Sequence, residues 1–462
     1  MAGLRALAWR GGLTMAARQV TGMVVSFAGL VALARLIGPA AYGVYVSAFA
    51  LHAAVSLLLQ WGVDVYLIRK PTPPEPEEID QAFTLLLIAG AAGAALAWPA
   101  GWLAEAWVGI DGIHVAVGTL FAGMPMQLVA AVPSGLLQRD MAYGKVAAAE
   151  LAGQVALYGG GVAAALAGLG LEAPLLGWAL QQAVMTPLFF VLARCRPRLA
   201  WQPDLLRPMV AFGAGYASSV GAWHLRGLVN PLVVARLLGP EAAAAVAVAL
   251  RLVEALAFMK TVLWRVAMPA LGRLQSDPAR LSAGVAEGVR LQVLAVGPAL
   301  AVFALLAPWL VPFAFGKDWG AVARVFPYLA VAGLVGAAFS LHSVVLALLG
   351  RNGDVAVFHL VNALLLAAAA AVAVPRLGLA GYCLAEGAAL SSYGLLHARA
   401  VAAIGPVDVG LGLVWVVAFA LPLFADLLGP AAWVGPPAVL LLPATRRALA
   451  GWWSQIKELA HG

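Results

Sequence analysis

The sequence predicts an all-α, polytopic membrane protein of about fourteen transmembrane helices, arranged as two six-helix lobes followed by a C-terminal helix pair. Three observations carry that expectation. Hydrophobic residues fill 63% of the 462 positions, with 50 glycines besides, while charged residues make up only 11%. A soluble domain carries about 25% charged residues, so these are too few to cover a water-soluble body of this size. Fourteen stretches are long and apolar enough to cross about 30 Å of hydrocarbon at 1.5 Å per residue. The basic residues between them alternate in density from loop to loop.

The first six segments fall at 13–35, 42–66, 81–104, 112–137, 146–169 and 172–193. The second six fall at 209–235, 241–266, 286–312, 322–349, 355–374 and 379–399, and a last pair at 407–427 and 431–448. This divides the chain into lobes at 1–200 and 201–402 and a tail of two helices at 403–462. The loops between are short, which leaves no room for a soluble catalytic domain. With the N-terminus in the cytoplasm, nineteen Lys and Arg lie in inner loops and ends, against five in outer loops: Arg35, Arg236, Lys317, Arg324 and Arg376. That bias predicts an even number of crossings with both termini inside. Arg5, Arg10 and Arg18 precede or open the first apolar run without a small-residue cleavage site, so an uncleaved first span is expected. The net charge of +7 is spread over loops rather than gathered in one patch, which argues for topology and against nucleic acid. Cys195 and Cys383 make neither a disulfide framework nor a metal-ligand spacing, and no cofactor is implied.

The chain repeats itself. ARLIGP (Ala34 to Pro39) closes the first span and ARLLGP (Ala235 to Pro240) closes the seventh, an offset of 201 residues. A weaker echo pairs GLGL (Gly168 to Leu171) with RLGL (Arg376 to Leu379), at an offset of 208. Gly38 and Gly239 are suited to a left-handed cap, the prolines stop the helix, and Arg35 and Arg236 can snorkel to the outer interface. One such hexamer is a generic helix stop. Two, each closing the first span of a six-span half, read as an internal duplication. Six is even, so the halves enter the membrane in the same orientation, related by a pseudo-twofold axis along its normal.

ARLIGPAAYGVY (Ala34 to Tyr45) followed by LLLQWGVDVYLIRK (Leu57 to Lys70) resembles the opening of polysaccharide flippases, the O-antigen and exopolysaccharide exporters of the MOP superfamily. LLQRDMAYGKVAAAEL (Leu136 to Leu151) and VPRLGLAGYCLAEG (Val374 to Gly387) resemble their loop after span four and their entry to span twelve. The resemblance implies a V-shaped pair of lobes around a central cavity, with alternating access that carries an undecaprenyl-diphosphate-linked saccharide to the outer leaflet of a bacterial cytoplasmic membrane. It implies no catalytic residues. The partners it implies are the lipid-linked oligosaccharide, membrane lipids, and a polymerase and glycosyltransferases of the same pathway.

Such cargo asks for cations within the membrane, and arginine suits diphosphate because its planar fork binds at two points and stays charged. Arg18, Arg226 and Arg251 lie within spans one, seven and eight. A charge there costs at least about 2.5–3.5 kcal/mol, so each is expected to face a cavity or a partner. Alternatives stand beside each: Arg18 can snorkel inward, as can Lys260 and Arg265, and Arg251 can pair with Glu254 at i, i+3. In span seven, AWHLRGLVNPLVVARLLGP places His224, Arg226 and Asn230 in the membrane, with Arg226 and Asn230 at i, i+4. Pro231 removes a donor and clashes at Gly227, so a break is expected there. Polar residues beside a broken helix point to a transport site, with Arg18, Arg226, Asn230 and Arg251 as cargo ligands and His224 and Glu254 as coupling or gating groups. His224 reads equally as a core histidine. His52, His342 and His359 are expected to be isolated packing residues, Glu150 and Glu386 to be helix contacts or gating groups, and PTPPEPEE (Pro71 to Glu78) to be a solvated connector.

Three other functions compete. A membrane polymerase, ligase or glycosyltransferase would expose a large outer loop with acidic or histidine pairs, and here Glu105 and Asp111 stand alone. A drug or metabolite exporter of the same superfamily would favour interior carboxylates. A lipid II flippase would share the arginines. No nucleotide-binding motif is present, so an ion gradient or the membrane potential is the expected energy source.

Overall fold

The computed structural model describes residues 2–451, and their side chains except at 2–21, 214–220, 223 and 264–266. Every regular element among the described residues is helical, and most residues of the expected segments lie on helix. In lipid, a helix satisfies its own backbone groups, which is why so apolar a chain folds this way. Among the described residues seven helices are long and apolar enough to cross a membrane, or nine if two bent pairs each count as one span. Some expected segments are merged and others interrupted. Gly22–Gln60 and Gly410–Leu441 each take in parts of two expected segments. Others are cut, as between Gln60 and Val63, where Trp61 and Gly62 have φ of 54° and 62°.

The duplicated stop has one conformation in both copies. Gly38 has φ 77° and ψ 170° and Gly239 has φ 85° and ψ 175°. The sign of φ is the expected one, but ψ near 180° is not the left-handed cap. This is the extended, positive-φ region that only glycine enters readily, and it turns the chain before helix resumes at the following proline. Burial matches as well: Leu33 and Ala34, like Val234 and Ala235, are buried, whereas Arg35 and Leu36, like Arg236 and Leu237, are exposed. The weaker echo is looser, with positive φ at Gly168 and Gly378, which are not the same position of the quartet.

The chain forms two compact units: Met1–Ala244 with Ala314–Asp318, and Ala245–Phe313 with Trp319–Gly462. In the first, helices Tyr143–Leu166 and Glu172–Ala193 pack as a hairpin. Gly177 makes this approach possible, because a Cβ there would stand 2.3 Å from the Leu157 carbonyl oxygen. Val44, Ala48, Phe121, Leu175 and Trp178 form the core of this unit. In the second unit, Asn352–Leu377 turns back on Leu379–Ala389, and Leu271, Val285, Val344 and Ile404 share a core.

The segment after helix Glu172–Ala193 is fixed within the first unit. Residues 194–202 lie along the start of helix Pro76–Ala95, where the backbone N–H groups of Arg198, Ala200 and Gln202 donate to Asp80 Oδ1 (2.8 Å), Thr84 Oγ1 (2.9 Å) and Gln81 Oε1 (2.6 Å). PTPPEPEE is not simply a solvated connector. Glu75 and Glu78 form a capping box on that helix, and Glu78 is buried against Lys70. The sequence hides this because acidic residues before a helix look solvated until the cap geometry closes them in.

Candidate functional site

The interruption expected at Pro231 is present. Helix Pro203–Leu225 gives way to a 3-10 turn at Arg226–Leu228 and then to a π-helical stretch at Asn230–Ala235. Proline has no N–H for the carbonyl one turn back, so the ladder widens around it. Arg226 and His224 are half-buried on this stretch and both have partners. Asn230 Nδ2 donates to the carbonyl of Ala243 at 3.0 Å, while its Oδ1 is buried without a hydrogen-bond partner. The amide thus ties the broken segment to the helix beyond Gly239 and keeps one acceptor in reserve.

The other candidates lie elsewhere. Arg251 and Glu254, on helix Pro240–Leu256, pair at 3.1 Å with side chains 60% and 65% exposed, which is the i, i+3 pair their spacing allows. They belong to the second unit, whereas His224, Arg226 and Asn230 belong to the first. The Arg18 side chain lies outside the described residues. Glu386 is buried and accepts from the Tyr382 hydroxyl at 2.8 Å, while Glu150 is exposed.

His342 is not isolated. Its Nε2 lies 3.1 Å from Nδ1 of His397, a residue no sequence pattern singled out, and Phe339 packs against both rings. The two histidines are 55 residues apart on separate helices, so only the packing reveals the pair. His52 does pack as expected, between Phe121 and Trp178, with Ser56 Oγ 3.2 Å from its Nε2.

Outside the spans, Arg139 Nη1 donates to the carbonyls of Leu67 (3.0 Å) and Lys70 (2.6 Å), satisfying the end of helix Val63–Arg69. The hydrogen bond to Glu78 holds the Lys70 ammonium above its usual range. Burial, with Asp80 nearby, pushes the Cys195 thiol up to about 11. Among the described residues no three His, Cys, Asp or Glu side chains come together as a metal site.

The profile of a family described as polysaccharide biosynthesis protein matches residues 32–324. A lipopolysaccharide biosynthesis protein, WzxC of Escherichia coli strain K12, is 28% identical over 165 residues, which is 35% of this chain and 33% of that protein. The matched region therefore spans about a third of that relative. Among solved structures, the lipid II flippase MurJ in an inward closed conformation aligns with a TM-score of 0.73 at 10% identity, covering 96% of this chain and 99% of that one. An inward-facing multidrug resistance MATE transporter of the MOP superfamily aligns at 0.67 and 16% identity, covering 82% and 95%. At these identities the likeness is one of fold.

Proposed function

The chain belongs to the polysaccharide biosynthesis protein family, and from that premise we propose that it is a membrane carrier and not an enzyme. It flips an undecaprenyl-diphosphate-linked saccharide from the inner to the outer leaflet of a bacterial cytoplasmic membrane by alternating access, supplying surface polysaccharide assembly by a polymerase and glycosyltransferases. The observation that carries the proposal is the family match over residues 32–324, and the interrupted seventh span supports it with an arginine beside a proline break. In this reading fourteen crossings build two six-helix lobes, at 1–200 and 201–402, with a helix pair at 403–462 and both termini in the cytoplasm. Arg226 holds the diphosphate with Arg18, Arg251 adds a weaker contact because Glu254 already shares its charge, Asn230 adds a hydrogen-bond acceptor, and His224 and Glu254 couple or gate.

The fold likeness to a lipid II flippase favours one second reading, lipid II itself as cargo. Complementation separates the two. This chain is expected to restore surface polysaccharide in a strain lacking its polysaccharide flippase, and to leave a strain depleted of its lipid II flippase unable to grow. The reverse outcome would assign the cargo to lipid II.

A further inference from the structure

The two copies of the helix stop reach corresponding partners. Arg35 Nη1 donates to the carbonyl of Ala314 at 3.3 Å, and the Arg236 guanidinium lies 3.9 Å from the centroid of the Trp107 ring. Ala314 is the last residue but one of helix Pro278–Phe315, and Trp107 the last but one of Ala97–Val108. The arginines are 201 residues apart and their partners 207. Each arginine therefore reaches from its own half of the chain to the matching helix end of the other half.

The chemistry suits the place. The last carbonyls of a helix lack partners and carry the negative end of its dipole, and tryptophan offers a cation the best aromatic face. Both contacts lie within the first unit, which takes in residues 314–318 from the second half. Around them backbone meets backbone: a Cβ on Gly43 would stand 1.8 Å from the Pro240 carbonyl oxygen, and Val44 is buried in a core shared with Ala235 and Ala243. Snorkelling would explain an arginine at either stop. It does not explain why both find equivalent helix ends in opposite halves.

We propose that Arg35 and Arg236 are twin latches that hold the outer ends of the two halves together, and that their release opens the carrier outward. The proposal rests on the transport reading above. A latch that must open has to be weak, and exposed contacts of this kind shift an equilibrium only about two- to fivefold.

The test does not require cargo. Val44→Cys, in a chain carrying Cys195→Ser and Cys383→Ala, is labelled in whole cells by a membrane-impermeant maleimide added outside. Arg35→Ala and Arg236→Ala should each speed labelling about two- to fivefold, and the double variant by about the product, as for independent contacts. Trp107→Ala should match Arg236→Ala while leaving every charge in place, which keeps the test open if an arginine variant folds poorly. Arg236→Lys should be slower than Arg236→Ala. A double variant labelled at the parent rate at normal abundance would overturn the proposal, as would a Trp107→Ala that leaves the rate unchanged. Faster labelling without polysaccharide export in a complemented strain would uphold the latches and count against the cargo.

Discussion

Arg226 and Arg251 both fall inside expected membrane spans, yet the helix supports them differently. Arg251 rides on a continuous α-helix, where a carboxylate one turn away meets it at 3.1 Å and both side chains are exposed. Arg226 stands where the helix passes from α to 3-10 to π geometry, so residues three and four positions on do not lie at α-helical register. Its polar neighbour Asn230 is tied to Ala243 instead. A regular helix pairs a charge with its own near neighbours. An interrupted one changes which neighbours a side chain can reach.

The comparison can be broken most directly at Arg226. Arg226→Ala is expected to reduce polysaccharide display about ten- to a hundredfold, the worth of a charge-assisted bond of about 1.5–3 kcal/mol, without loss of membrane abundance. Arg226→Lys should recover only part, because a point charge lacks the two-point grip. Full display from Arg226→Ala would make this arginine structural. Pro231→Ala should come next: it restores an N–H and removes a clash worth about 3 kcal/mol in a helix interior. Thermal stability should rise while transport falls, and an unchanged transport rate would show that the break is not needed.

Smaller effects test the other side. Exposed ion pairs contribute about 0–1 kcal/mol, so Arg251→Gln should cost less than about fivefold in display. The exchanged pair Arg251→Glu with Glu254→Arg should restore it. A loss equal to that of Arg226→Ala would erase the contrast between the two arginines. The smallest effect serves as a baseline outside both segments. With its thiol pushed up to about 11, Cys195 is ionised in only about one molecule in a thousand at pH 8, far less than a free cysteine. Alkylation in opened membranes should be slow there and speed up about tenfold per pH unit until the pH approaches 11. Fast labelling at pH 8 would mean that the loop leaves its buried setting.

The features legible in the sequence were the local ones. The Arg251–Glu254 pair, the break at Pro231 and the duplicated stop all depend on residues within a turn or two of one another, so spacing alone exposes them. The tie from Asn230 to Ala243 was not legible, because it crosses the turn at Gly239 and depends on how closely two helices approach. His342 with His397 escaped for the same reason at longer range. Glu78 was misread because composition reports charge and not the cap that buries it. At Gly38 and Gly239 the residue type announced positive φ but could not choose between the two glycine-accessible values of ψ.

The strap at 194–202 has a mechanical consequence. A connection between two helices is ordinarily where slack would be sought, but three of its eight backbone N–H groups, Pro197 having none, are bonded to helix Pro76–Ala95 and the next helix begins at Pro203. A cable fastened so close to its end cannot pay out length. Any displacement downstream has to be absorbed beyond Gln202, and the first departure from α-geometry there is the stretch from Arg226 to Ala235. The first irregular backbone after the strap therefore lies inside a helix, at the same residues that carry the candidate cargo ligand.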